Sequence, residues 1–138
     1  MVLQPSRTKY RKSHKGRIRG NATRCNEVEF GEWGIQALER GFITGRQIEA
    51  ARVAMSRVVG GVGQFWLRIF PHKPITKKPN ESRLGKGKGD VDHYSAVIKP
   101  GTVIFELSAV SENLAKLAFN RQAHKLPLKV RLIRRRRV

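Results

Sequence analysis

The segment of this chain best equipped for chemistry is Arg83-Leu84-Gly85-Lys86-Gly87-Lys88-Gly89, in which glycines alternate with cations. Glycine lets a backbone come close to a phosphate, while Lys and Arg neutralise the phosphate's charge. Arg83 adds a planar fork that can hold a phosphate through two hydrogen bonds or stack on a base, which lysine cannot do. The surrounding stretch, residues 71–92, adds Lys73, Lys77 and Lys78, opposed by Glu81 alone until Asp90 and Asp92 close it. A nucleotide-hydrolysing phosphate loop needs a wider glycine spacing, then Lys followed by Ser or Thr. Here Gly-Lys-Gly-Lys-Gly runs straight into Asp90, so the segment suits phosphate binding and not phosphate transfer.

Other chemistry-bearing residues fail on spacing. His14, His72, His93 and His124 are scattered, with no metal-ligand pattern. Asp90 and Asp92 could be paired carboxylates for acid–base work, but within a basic loop they read as local charge balance. No nucleophile-elbow motif surrounds any serine. The single cysteine, Cys25, excludes an internal disulfide, and neighbouring Arg24 is a thin case for an activated thiol. The expectation is a binding protein with no catalytic residue, no metal and no cofactor.

Charge identifies the kind of partner. The 138 residues hold 29 Lys and Arg against 10 Asp and Glu, a formal charge of +19. A small domain at that charge repels itself unless it meets a polyanion, and nucleic acid is the commonest one. A membrane is not expected, because no stretch approaches the ~20 apolar residues of a span. The first 26 residues contain no acid and carry Arg7, Lys9, Arg11, Lys12, Lys15, Arg17, Arg19 and Arg24. Tyr10 is their one aromatic, which favours phosphate contact over base stacking. The layout is therefore a basic arm (1–26), one domain (27–133) holding the functional loop 71–92, and a basic tail (134–138). The candidate RNA-binding residues are Arg7, Lys9, Arg11, Lys12, Lys15, Arg17 and Arg19 in the arm. In the loop they are Lys77, Lys78, Arg83, Gly85, Lys86, Gly87, Lys88 and Gly89.

Val28, Phe30, Trp33, Ile35, Ala37 and Leu38 suggest a strand and a turn, kinked near Gly31 and Gly34. Thr44 and Gln47 form a capping-box pattern, and Ile48, Ala51, Met55, Val58 and Val59 follow at helical spacing until Gly60-Gly61. Gln64–Phe70 is apolar on both faces and predicts an interior strand. His93–Val97 and Thr102–Leu107 predict two strands turned at Pro100-Gly101. Ser111 caps a second helix reaching about His124, with Leu114, Leu117 and Ala118 facing inward, and Leu126–Ile133 predicts a half-buried strand with a basic outer face. Trp33 and Trp66 are assigned to the core. The order implies an α+β fold: a mixed, largely antiparallel sheet with two packed helices, a long basic loop and the basic N-terminal arm. The stripe on the first helix is ordinary core material, so a duplex-reading helix is not expected there.

Four stretches together carry a resemblance. They are Leu3-Gln4-Pro5-Ser6-Arg7-Thr8-Lys9-Tyr10-Arg11-Lys12; Ile43-Thr44-Gly45-Arg46-Gln47-Ile48-Glu49-Ala50-Ala51-Arg52; Trp66-Leu67-Arg68-Ile69-Phe70-Pro71 with Lys73-Pro74-Ile75-Thr76; and Arg83 to Gly89. In them the chain resembles the bacterial and organellar L-sixteen family of large-subunit ribosomal proteins, over nearly its whole length. The resemblance implies a structural constituent of the ribosome's large subunit, in a bacterial cytoplasm or in the matrix of a mitochondrion or plastid. The implied partners are large-subunit ribosomal RNA, the ends of A-site and P-site transfer RNAs near the peptidyl-transferase centre, and neighbouring ribosomal proteins. A homo-oligomer is not implied. By matching position, Arg83, Lys86 and Lys88 would touch RNA, Gly85, Gly87 and Gly89 would permit close approach, and Arg7 to Arg19 would thread into ribosomal RNA.

The chain also departs from the family pattern. Leu84 stands for the usual Met, Tyr94-Ser95 for a common Tyr-Trp, Gly60-Gly61-Val62 for a commonly basic turn and Val110-Ser111 for Val-Pro. The run Arg134 to Arg137 is unusual for the family.

Overall fold

The computed structural model describes residues 3–136; Arg137, the last of the four tail arginines, lies outside them. The chain forms β1 (Trp33–Ala37), β2 (Gly41–Thr44), α1 (Gly45–Val59), β3 (Gln64–Leu67), β4 (Lys73–Lys77), β5 (Asp90–Ile98), β6 (Val103–Ser108), α2 (Glu112–Ala123) and β7 (Val130–Arg134). The α+β class holds. The strands divide into two sheets, ordered β3-β6-β1-β7 and β2-β5-β4, and every pairing is antiparallel. The expectation of one mixed sheet is corrected here for a topological reason. The helix α2 links β6 to β7, which run parallel to one another, but β1 is inserted between them and pairs antiparallel with both.

The sequence dictates α1 most directly. Thr44 Oγ1 accepts from the Gln47 amide at 3.2 Å, and the Gln47 side chain accepts from the Thr44 amide at 3.0 Å, the reciprocal capping box. Ile48, Ala51, Met55 and Val59 are buried along one stripe, and Gly60 ends the helix with φ +58°. On α2, Ser111 Oγ caps Leu114 N as expected. The buried residues, however, are Ala115, Ala118 and Gln122, while Leu117 is 46% exposed, so its inward assignment is corrected. The two helices pack directly on each other, and alanines permit the close approach that a leucine would hinder. One core joins this pair to both sheets through Ile35, Ile43, Ile98, Phe105 and Leu107.

Three strand expectations change. The stretch Gln64–Phe70 is a strand only over Gln64–Leu67 and lies at a sheet edge, not in its interior. Its second apolar face is explained by Phe30, whose ring stacks on Trp66 at 6.1 Å; Trp66 is accordingly half-buried while Trp33 belongs to the core. The long loop contracts, because Lys73–Lys77 forms β4 and β5 begins at Asp90, leaving residues 78–89 as the connection. Pro74 hides this strand from the sequence pattern, yet an edge strand tolerates proline, and β4 is an edge. The last strand begins at Val130, four residues later than Leu126; Leu126 is buried in the preceding turn.

A buried carboxylate fixes the segment that leads from the arm into β1. Glu106 is fully buried and accepts from the amides of Phe30 at 2.6 Å, Gly31 at 2.8 Å and Glu29 at 3.2 Å. Its charge is met by Arg68 Nη1 at 2.7 Å. Gly31 has no alternative here, since a Cβ would sit 2.4 Å from the Leu107 carbonyl oxygen.

Candidate nucleic-acid interface

The loop 78–89 projects from the β4–β5 edge of the three-stranded sheet, and Arg83, Lys86 and Lys88 are exposed on it, together with Lys77 and Lys78 at its base. Gly85 and Gly87 adopt φ of +86° and +85°, and Lys86 between them adopts +62°. Left-handed backbone of this kind favours glycine and costs about 1–2 kcal/mol for a residue with a Cβ. Three consecutive residues with positive φ curl the tip, on which Lys86 is exposed. A Cβ on Gly85 or Gly87 would meet nothing within 4 Å, so these two glycines serve conformation and leave space above them. Gly89 differs: a Cβ there would lie 2.8 Å from the Lys77 carbonyl, so this glycine closes the loop's base. Lys78 Nζ donates to the Gly85 carbonyl at 2.7 Å and ties the tip back to that base.

The basic arm has no regular secondary structure, and it lies against this loop. Lys12 Nζ donates to the Lys88 carbonyl at 3.3 Å, and Lys88 Nζ donates to the Ser13 carbonyl at 2.6 Å. Lys73 Nζ donates to the Lys15 carbonyl. Arg11 and Lys12 approach Asp90 at 3.6 and 3.8 Å, so Asp90 does balance local charge, while Asp92 pairs instead with His93 at 2.8 Å. Each contact is exposed and individually weak. Together they join arm and loop into one cationic surface.

The expected arm residues fall into three groups. Arg11, Lys12 and Lys15 meet the loop and its supporting strand. Arg7 and Lys9 line a groove between arm and β4 with Tyr10, His14, His72 and Lys73. Arg17 and Arg19 are exposed farther along, where the arm crosses the domain: Arg40 donates to the Ile18 carbonyl at 3.2 Å and Ala22 N donates to the Pro100 carbonyl at 2.9 Å. The set omitted Lys73 and Arg40, which hold the arm through its carbonyls. Their own cationic character was the only signal for that role.

Among the described residues no three His, Cys, Asp or Glu side chains assemble into a metal-holding group. Burial pushes the Cys25 thiol above its ordinary pKa, more than nearby Arg68 lowers it, which removes the case for an activated thiol. Among the described residues no helix is long and apolar enough to cross a membrane.

The chain is similar to known proteins over nearly its whole length. The family model described as ribosomal protein L16p/L10e matches residues 5–133. The large ribosomal subunit protein uL16 of Sulfurihydrogenibium sp. (strain YO3AOP1) is 56% identical over 133 residues, covering 96% of each chain. The large ribosomal subunit protein uL16c of Thalassiosira pseudonana is 54% identical over 135 residues, 98% of each chain. The large ribosomal subunit protein uL16 of Rhodopirellula baltica is 53% identical over 136 residues, 99% of each chain. With the family model spanning loop, helices and both sheets, the chain belongs to the ribosomal protein L16p/L10e family.

Proposed function

We propose that this chain is a structural constituent of the large ribosomal subunit that binds its ribosomal RNA through the arm and the loop 78–89. It helps shape the region where aminoacyl- and peptidyl-transfer RNA ends lie near the peptidyl-transferase centre. The observation that carries this reading is the arm–loop clasp, in which Lys12 and Lys88 each hold the other segment's backbone. That exchange presents Arg83, Lys86 and the curled glycines as a preset surface, so less ordering remains to be done on binding. Phosphates satisfy the lysine and arginine heads, and Arg83 supplies the one planar fork on the loop. The relatives' printed names, all large-subunit proteins, support assignment to the large subunit.

Two measurements test it. In a gentle sucrose gradient the protein should travel with large subunits; recovery only from the soluble fractions would refute the assignment. Arg83→Ala should leave thermal unfolding unchanged, because Arg83 lies on an exposed loop, while slowing elongation by ribosomes that carry it. Wild-type elongation from such ribosomes would remove the loop from the proposal.

A further inference from the structure

We infer that the cleft between residues 26–29 and β7 is a second site for an RNA phosphodiester backbone, formed by Arg131, Arg134, Arg135 and Arg136. This inference rests on the RNA-binding reading above but concerns a different surface, at the free edge of the four-stranded sheet. The cleft encloses about 780 Å³.

Its arginines are arranged, not merely numerous. Gln36 is nearly buried, and its Nε2 donates to the Asn26 carbonyl at 3.2 Å and the Gly101 carbonyl at 2.9 Å. Those two bonds leave its Oε1 as the free acceptor, which takes Arg131 Nε at 2.8 Å. A guanidinium held through Nε keeps both terminal nitrogens available, the half that grips a phosphate in two places. Arg134 lies over the Trp33 ring at 5.4 Å, and a cation stacked on an indole keeps a fixed direction. The Arg135 amide donates to the Glu32 carbonyl at 2.8 Å and extends the backbone past the strand's end. Val28 and Ile133 floor the cleft with apolar surface.

Two acids share the cleft. Glu29 faces Arg68 at 3.5 Å, and Glu27 is exposed. Four arginines against these two carboxylates leave a cationic excess, which fits an anionic occupant. The arm leads the same way: it touches the loop at Lys12, the Pro100 turn at Ala22 and β6 at Cys25, then forms one wall of the cleft. A phosphate backbone bound along the arm therefore has a continuous cationic course to this edge. An acidic protein segment is the competing occupant. It fits less well, because the open β7 edge is flanked by exposed arginines on both sides and offers no apolar groove for a protein side chain.

The test uses the full chain and protein-free large-subunit ribosomal RNA, with affinity measured across a salt series. The variant R131Q/R134Q/R135Q should bind at least about tenfold more weakly at moderate salt, with a log–log salt slope shallower by about 2. Glu27→Gln, an exposed change that needs no refolding argument, should strengthen binding about twofold by removing a like charge from the phosphate path. Wild-type affinity and slope in the folded triple variant, or no gain from Glu27→Gln if the triple variant does not fold, overturns the inference. So does a triple variant that keeps its RNA affinity but no longer binds immobilised polyglutamate, which assigns the cleft to an acidic protein. Failure of the wild-type chain to bind the RNA would instead strike the preceding proposal, and this one with it.

Discussion

Two buried polar side chains behave oppositely. Glu106 has a full set of partners, three backbone amides and Arg68. Removing Arg68 leaves a buried carboxylate without its counter-charge, so Arg68→Ala should cost about 3 kcal/mol, read as a lower urea midpoint at an unchanged slope. Gln122 is equally buried, yet neither of its amide atoms has a partner. An apolar replacement of similar volume removes that desolvation cost, so Gln122→Leu should raise stability by about 1–2 kcal/mol in the same assay. Neither role was legible in the sequence. A carboxylate in a strand and an amide in a helix look like surface residues until their neighbours, distant in the chain, are known.

At the scale of elements, legibility followed the density of local signals. The helix α1 announces itself through a cap, a stripe and a glycine stop, all within the span from Thr44 to Gly60. The strand β4 did not, because Pro74 and the flanking lysines imitate a loop and only its edge position makes the proline acceptable. The four-residue β2 is too short to show alternation. The loop's composition was plain, since glycine and lysine alternate in register. Its clasp with the arm was hidden, because the acceptors are backbone carbonyls that every residue possesses. The base of that loop yields its own prediction. Gly89→Ala drives a methyl against the Lys77 carbonyl and should cost about 1–3 kcal/mol. Amide exchange at the Lys77–Asp90 pairing should accelerate; unchanged protection there would show that the base relaxes freely.

At the scale of the whole molecule, the charge of +19 is not spread evenly. It forms a surface at the arm and loop and a cluster at the β7 edge, while the interior is occupied by an ordinary apolar core. Membership in a ribosomal-protein family makes this a structural component and not an enzyme, and among the described residues most cations of arm, loop and tail are exposed while Arg68 turns inward to Glu106. With six or more phosphates neutralised, the log–log salt slope for the wild-type chain on ribosomal RNA should be about −4 or steeper. A slope near zero would mean that the cations meet no phosphates. The division into two antiparallel sheets was beyond reach of the sequence, because strand order depends on which distant segments meet, and local pattern carries no record of that.

The insertion of β1 between β6 and β7 has a consequence for biosynthesis. The amide ladder of residues 33–37 gains one neighbour when residues 103–108 emerge, but its other side stays open until residues 130–134 have been made. A nascent chain stalled before that point exposes an unsealed, apolar strand, which invites pairing with other chains. Closure waits until residues 130–134 have been translated, so stop codons placed just before them should yield insoluble product even though the loop and arm are already complete.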